Sequence, residues 1–204
     1  MLWVGLTGGL ATGKSSVSQL LRKKGFSVID ADRKAKEVLE KGSDAYWDVV
    51  HFFGEQVLGP DQEINRTELA KRVFNSNEDR EQLEKIVHPR IQKSVASDRQ
   101  YLQDQGLQIA FYDVPLLFEK RLQSQFDAII LVYAPKEKQI ERAMLRNSWS
   151  QEEVLSRLNH QEDIESKKSQ SRYVIDNSGP ASMLEGNLNK VLNQILADFK
   201  LTEA

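Results

Sequence analysis

The chain has 204 residues, of which 40% are hydrophobic, enough for one α/β domain with room for an inserted subdomain. Its 28 Lys and Arg nearly balance 30 Asp and Glu, and the resulting charge of −2 excludes any general pull toward nucleic acid or anionic membrane. The lack of cysteine excludes disulfides and thiolate metal sites, and it accords with a reducing compartment.

In chain order, Leu2 to Thr7 reads as a short buried strand running straight into a glycine-rich turn. No basic residue precedes Lys14, and Gly8 and Gly9 interrupt the apolar stretch, so no export signal is expected there. Lys14 to Lys24 carries Val17, Leu20 and Leu21 at helical spacing, with Gly25 as its stop. Phe26 to Ile29 is a second strand, expected beside the first, and it ends at Asp30-Ala31-Asp32. From Arg33 to Gln105 the pattern is helical, with breaks expected near Gly42, Gly59-Pro60 and His88-Pro89. That is far more chain than a single crossover needs, so a helical subdomain is expected there. Leu107–Tyr112, Ala128–Tyr133 and Tyr173–Ile175 complete a five-stranded set. Continuous apolar strands alternating with helices predict a parallel sheet covered on both faces. The polar stretch from Arg142 to Arg172 predicts a helical lid. The longest apolar run, Ala128–Ala134, falls far short of the roughly 20 residues of a membrane span. A soluble cytoplasmic protein follows as an expectation, acting as a monomer or weak homo-oligomer without nucleic-acid or membrane partners.

Gly8-Gly9-Leu10-Ala11-Thr12-Gly13-Lys14-Ser15 matches G-x-x-x-x-G-K-[ST] between a strand and a helix, the setting that phosphate binding needs. Glycines let successive N–H groups turn inward, and the helix start adds its positive end. Lys14 is placed to neutralise the β- and γ-phosphates of ATP, and the Ser15 hydroxyl to ligate Mg²⁺. The guanine element N-K-x-D is absent, because Asn189-Lys190 runs into Val191-Leu192. Asp30 and Asp32 stand at a strand end, where a carboxylate can take a proton from an attacking hydroxyl or cap the next helix. Asp113 ends another strand and either orients the Mg²⁺ hydration shell or satisfies loop amides. Arg142 and Arg146 share a helix face and, with Arg157, either offset charge on a transferring phosphoryl group or pair with nearby glutamates. His88, held before Pro89, reads either as structural or as a substrate contact.

The runs Leu6 to Ser15, Val28 to Asp32, His88-Pro89, Asp113 to Glu119 and Val174 to Gly179 together resemble the dephospho-coenzyme A kinases. The resemblance implies a three-layer α/β/α P-loop NTPase fold with a five-stranded parallel sheet. It places the core at about 1–32, 106–141 and 172–204, a substrate-binding insertion at about 33–105 and a lid at about 142–171. It implies that ATP, with Mg²⁺, phosphorylates the ribose 3′-hydroxyl of dephospho-coenzyme A in the last step of coenzyme A synthesis. The alternative is a P-loop kinase acting on a nucleoside monophosphate or another small alcohol. Asp32 matches the catalytic base, with Lys14 and Arg142 as catalytic cations. ATP is expected at Gly8, Gly9, Ala11, Thr12, Gly13, Lys14, Ser15 and Ser16, with Arg142 and Asn177 beside the adenine. The acceptor is expected at Asp32, His88 and Leu117, and the metal at Ser15 and Asp113. The chain departs from the family in its lid: Gln161 is followed by Glu162-Asp163 rather than x-Pro, and Ser171-Arg172 replaces Ala-Asp.

Overall fold

The computed structural model describes residues 1–201, and only residues 202–204 of the expected core lie outside them. The elements run β1 (Leu2–Gly8), α1 (Lys14–Lys23), β2 (Val28–Asp30), α2 (Ala31–Glu37), α3 (Asp44–Phe53), α4 (Arg66–Asn75) and α5 (Asn77–Asp104). After these come β3 (Ile109–Asp113), β4 (Ala128–Tyr133), α6 (Lys136–Asn147), α7 (Gln151–Leu158), α8 (Ile164–Ser169), β5 (Tyr173–Asp176) and α9 (Leu184–Asp198). The chain divides into two compact units, one of residues 1–29 and 102–204, the other of residues 30–101.

The first unit is built on a five-stranded sheet in the order β2-β3-β1-β4-β5. β1 pairs in parallel with β3 and β4, and β4 with β5. The second strand is therefore not beside the first, as expected, because β3 lies between them. Adjacency in sequence gave the wrong neighbour, since the crossover through α1 passes over one strand position, which β3 fills. All seven residues of β1 are buried, which suits the central strand of a sheet covered on both faces. Val17 and Leu21 of α1, and Leu188, Val191, Leu192 and Ile195 of α9, turn their apolar stripes onto the sheet and share one core with Val4, Leu6, Phe111, Ile130 and Ile175. The register sets Leu6 level with Asp113 and Gly8 level with Val132, so β1 and β3 deliver the loop and an acid to the same carboxyl-end edge. No helix among the described residues is long and apolar enough to cross a membrane.

The second unit has its own core, where Ala45, Val49, Phe53, Val57 and Leu69 meet Ile86 and Val87. Ser43 and Asn65 cap α3 and α4 through side-chain oxygens that accept amide hydrogens. His88-Pro89 does not break the chain, because α5 runs through it. Proline costs about 3 kcal/mol inside a helix. Burial of Ile86 and Val87 offsets that cost, and Arg90 Nη1 donates to the Ile86 carbonyl (2.7 Å) beside the interruption. His88 itself is exposed on this helix.

Leu117, placed by the resemblance at the acceptor site, is fully buried in the first unit. Its Cδ1 would lie 2.7 Å from a Cβ on Gly5, so the missing side chain in β1 is what admits it. The side chain is a core group, and only the backbone is left for any contact with a ligand. Leu117→Ala is expected to lower unfolding free energy by about 2–5 kcal/mol, the range for a buried leucine that leaves a cavity, measured by denaturant titration.

Candidate active site

The loop between β1 and α1 is closed by its own residues. The Thr12 hydroxyl donates to the Gly9 carbonyl (2.9 Å), and Thr12 is fully buried. Gly13 has φ +96°, and a Cβ there would fall 2.3 Å from Asn177 Nδ2, so both conformation and space demand glycine. Ala11 also sits at positive φ, +55°. No side chain caps α1, and its first turn carries no acidic residue. The amides and the positive end of the helix are therefore available to an anion. Ser15 and Ser16 are exposed at this point.

Asp113 is 3% exposed and has both oxygens engaged. Oδ1 pairs with the Lys14 ammonium, and Oδ2 accepts from the Ser18 hydroxyl. The strand-end acid therefore aims the loop lysine. Ser18 was not singled out in the sequence, although a polar residue between Val17 and Leu21 on the buried face of α1 was a signal for it. Among the described residues no group of three His, Cys, Asp or Glu could hold a metal ion.

A second tie reaches the loop from β5. Asn177 Nδ2 donates to the Thr12 carbonyl (2.8 Å), and Arg142 Nη2 donates to the Asn177 carbonyl (2.9 Å). Of the three arginines considered for the lid, Arg142 thus joins the loop network. Arg157 stacks 4.0 Å above the Trp149 ring, and Arg146 turns to Asn147. Glu153 completes a capping box with Ser150 rather than pairing with an arginine. Where the family pattern has proline, Asp163 caps α8 by accepting from the Glu165 and Ser166 amides. The first unit thus gathers Gly8 to Ser16, Asp113, Arg142 and Asn177. Asp32 and His88 belong to the second unit. There Asp30 caps α2 through the Arg33 amide (3.0 Å), and Asp32 is exposed in the first turn.

The dephospho-CoA kinase family model matches residues 2–182, nearly the whole of the described chain. This chain belongs to the dephospho-CoA kinase family. A dephospho-CoA kinase of Listeria innocua is 41% identical over 175 residues, covering 86% of this chain and 88% of its own. Among solved structures, one from Thermus thermophilus is similar with TM-score 0.81 and 33% identity, covering 97% of each chain. The dephospho-CoA kinase from Campylobacter jejuni is similar with TM-score 0.74 and 28% identity, covering 96% of this chain and 98% of its own. Membership of the family accords with the parallel α/β sheet and the phosphate loop already described.

Two predictions follow from the geometry. Gly13→Ala imposes left-handed strain and a clash on Asn177. Strain of about 1–3 kcal/mol is expected to weaken Mg·ATP binding by about 5- to 150-fold in calorimetry. Tyr133, at the end of β4, donates to Glu165 of α8. That bond, followed by burial, pushes its phenol from 10.0 to about 12. The folded state therefore holds this proton more tightly than the unfolded chain. Its stabilising effect is complete below pH 10 and is lost as pH rises from 10 to 12. In unfolding titrations across that window, wild type is expected to lose stability relative to Tyr133→Phe.

Proposed function

We propose that this chain transfers the γ-phosphate of ATP to the ribose 3′-hydroxyl of dephospho-coenzyme A, giving coenzyme A and ADP. The observation that carries the reading is a Lys14 clamped by Asp113 at the mouth of an uncapped helix, in a chain of this family. The loop amides and Lys14 bind the β- and γ-phosphates and take up charge as the terminal group moves. Arg142 and Asn177 line the adenine side and keep the loop in shape. Ser15 would hold a magnesium ion through its hydroxyl, and that ion would supply further charge neutralisation at the phosphates.

Asp32 serves as the base. Because Asp30 already caps α2, Asp32 is relieved of that task, and among the described residues its carboxylate accepts no hydrogen bond. That supports assigning it to the hydroxyl of the acceptor. The 3′-oxygen forms a bond to the γ-phosphorus, the bond from that phosphorus to the β,γ-bridging oxygen breaks, and the hydroxyl proton passes to Asp32. Exposed His88 is the other acceptor contact in this reading. The transition state is loose, so alignment and charge contribute more than proton removal.

The test is to mix purified protein with Mg·ATP and follow ADP release with dephospho-coenzyme A, nucleoside monophosphates and small alcohols in turn. Dephospho-coenzyme A is expected to be strongly preferred, and equal turnover with a nucleoside monophosphate would overturn the reading. Asp32→Ala is expected to slow turnover by about 10²- to 10⁴-fold, the usual contribution of a general base, with ATP affinity unchanged.

A further inference from the structure

Gln161, in the turn between α7 and α8, reaches the phosphate loop itself. Its Oε1 accepts the Leu10 amide hydrogen at 3.0 Å. Leu10 is the third residue of the loop, so a side-chain carboxamide occupies one of the backbone donors of a structure built to face oxyanions. A carboxamide has one acceptor oxygen and two N–H donors. Once Oε1 is fixed on the loop, the two Nε2 hydrogens are left over, and among the described residues no group accepts them. The side chain lines a cleft of about 210 Å³ together with Gly9, Gln139 and Glu162.

The segment bearing Gln161 is fastened from below. Glu119 Oε1 accepts the Glu162 amide hydrogen (3.0 Å) and also pairs with the Lys167 ammonium. Lys167 has no solvent exposure. Among the described residues neither its ammonium nor Glu119 Oε2 has an aligned hydrogen-bond partner. A buried ion pair with unmet hydrogen-bonding capacity is a poor source of stability, so its presence here calls for another reason. Its position supplies one. Glu119 lies six residues beyond Asp113, the residue that aims Lys14, so a single stretch after β3 sets both the loop lysine and the turn carrying Gln161.

We propose that Gln161 donates a hydrogen bond from Nε2 to the phosphoryl group in transfer, and that Glu119 and Lys167 are positioning residues that hold it on the loop. A neutral donor suits this place. It stabilises charge on the phosphoryl oxygens without the desolvation that another cation would need, and its orientation is set before the nucleotide arrives. The inference rests on the reading of the loop as an ATP site, and calorimetry of wild type with Mg·ATP checks that reading separately.

The deciding variant is Gln161→Ala, at a partly exposed turn, with its unfolding midpoint compared with that of wild type. Loss of one preorganised donor is expected to lower kcat by about 10²-fold while the Kd for Mg·ATP stays within about threefold. Glu119→Gln is made together with Lys167→Met, so that no charge is left buried and unpaired. This pair is expected to lower kcat several-fold. Adding Gln161→Ala to it should take kcat no lower than Gln161→Ala alone, because all three act through one hydrogen bond. A Gln161→Ala enzyme of wild-type kcat would overturn the proposal. So would tighter nucleotide binding at unchanged turnover, which would make the side chain a plug over the loop. Multiplying effects in the triple variant would overturn the positioning role.

Discussion

A lysine on a glycine-rich loop is a flexible chain ending in a strongly hydrated charge, and left alone it would spend most of its time in water. Asp113 prevents that. Its carboxylate is buried at the end of β3, level with Leu6 of the neighbouring strand, and it holds Lys14 with one oxygen and Ser18 with the other. The Ser18 hydroxyl fixes the carboxylate against α1, so the charge pair is oriented by the sheet on one side and the helix on the other. Preorganisation of this kind avoids the cost of ordering the cation at the moment of reaction.

The rest of the first unit reads as support for that pair. The strand register brings β1 and β3 to the same edge, and the apolar faces of α1 and α9 pin the sheet that carries them. The loop is then closed from a third side by Asn177, whose amide meets the Thr12 carbonyl and whose own carbonyl takes Arg142. Gly13 is the point where these demands collide. It must adopt a left-handed conformation with a neighbouring side chain pressed against the place where its Cβ would be. The shape of the loop is therefore as tightly constrained as its charge.

The polar stretch after Arg142 is held to the first unit by polar groups. Asp163 caps α8, Tyr133 and Lys168 dock that helix on the end of β4, and Lys167 is wholly buried against Glu119. Low hydrophobicity in this segment reflects polar docking onto the sheet edge. The arginines divided by local circumstance: one joined the loop network, one stacked on Trp149, and one stayed at the surface.

Patterns carried by neighbouring residues were legible in the sequence. The eight-residue phosphate loop, the continuous apolar strands and the amphipathic α1 each depend on spacing within a few positions, and each appears where that spacing puts it. The family was legible too, because its blocks are short and contiguous. What the sequence did not disclose involves residues brought together from far apart: the order of β1, β2 and β3, Ser18 and Lys14 on Asp113, Asn177 on Thr12 and Gln161 on Leu10. Lys14 and Asp113 are 99 positions apart, and Asn177 and Thr12 are 165 apart. The same limit explains His88-Pro89, where local rules called for a break and burial of Ile86 and Val87 carried the helix through. Sequence determined which segments could be strand, helix or phosphate loop, because backbone preference is local; packing alone decided which side chains meet, because a contact's energy depends on distance in space.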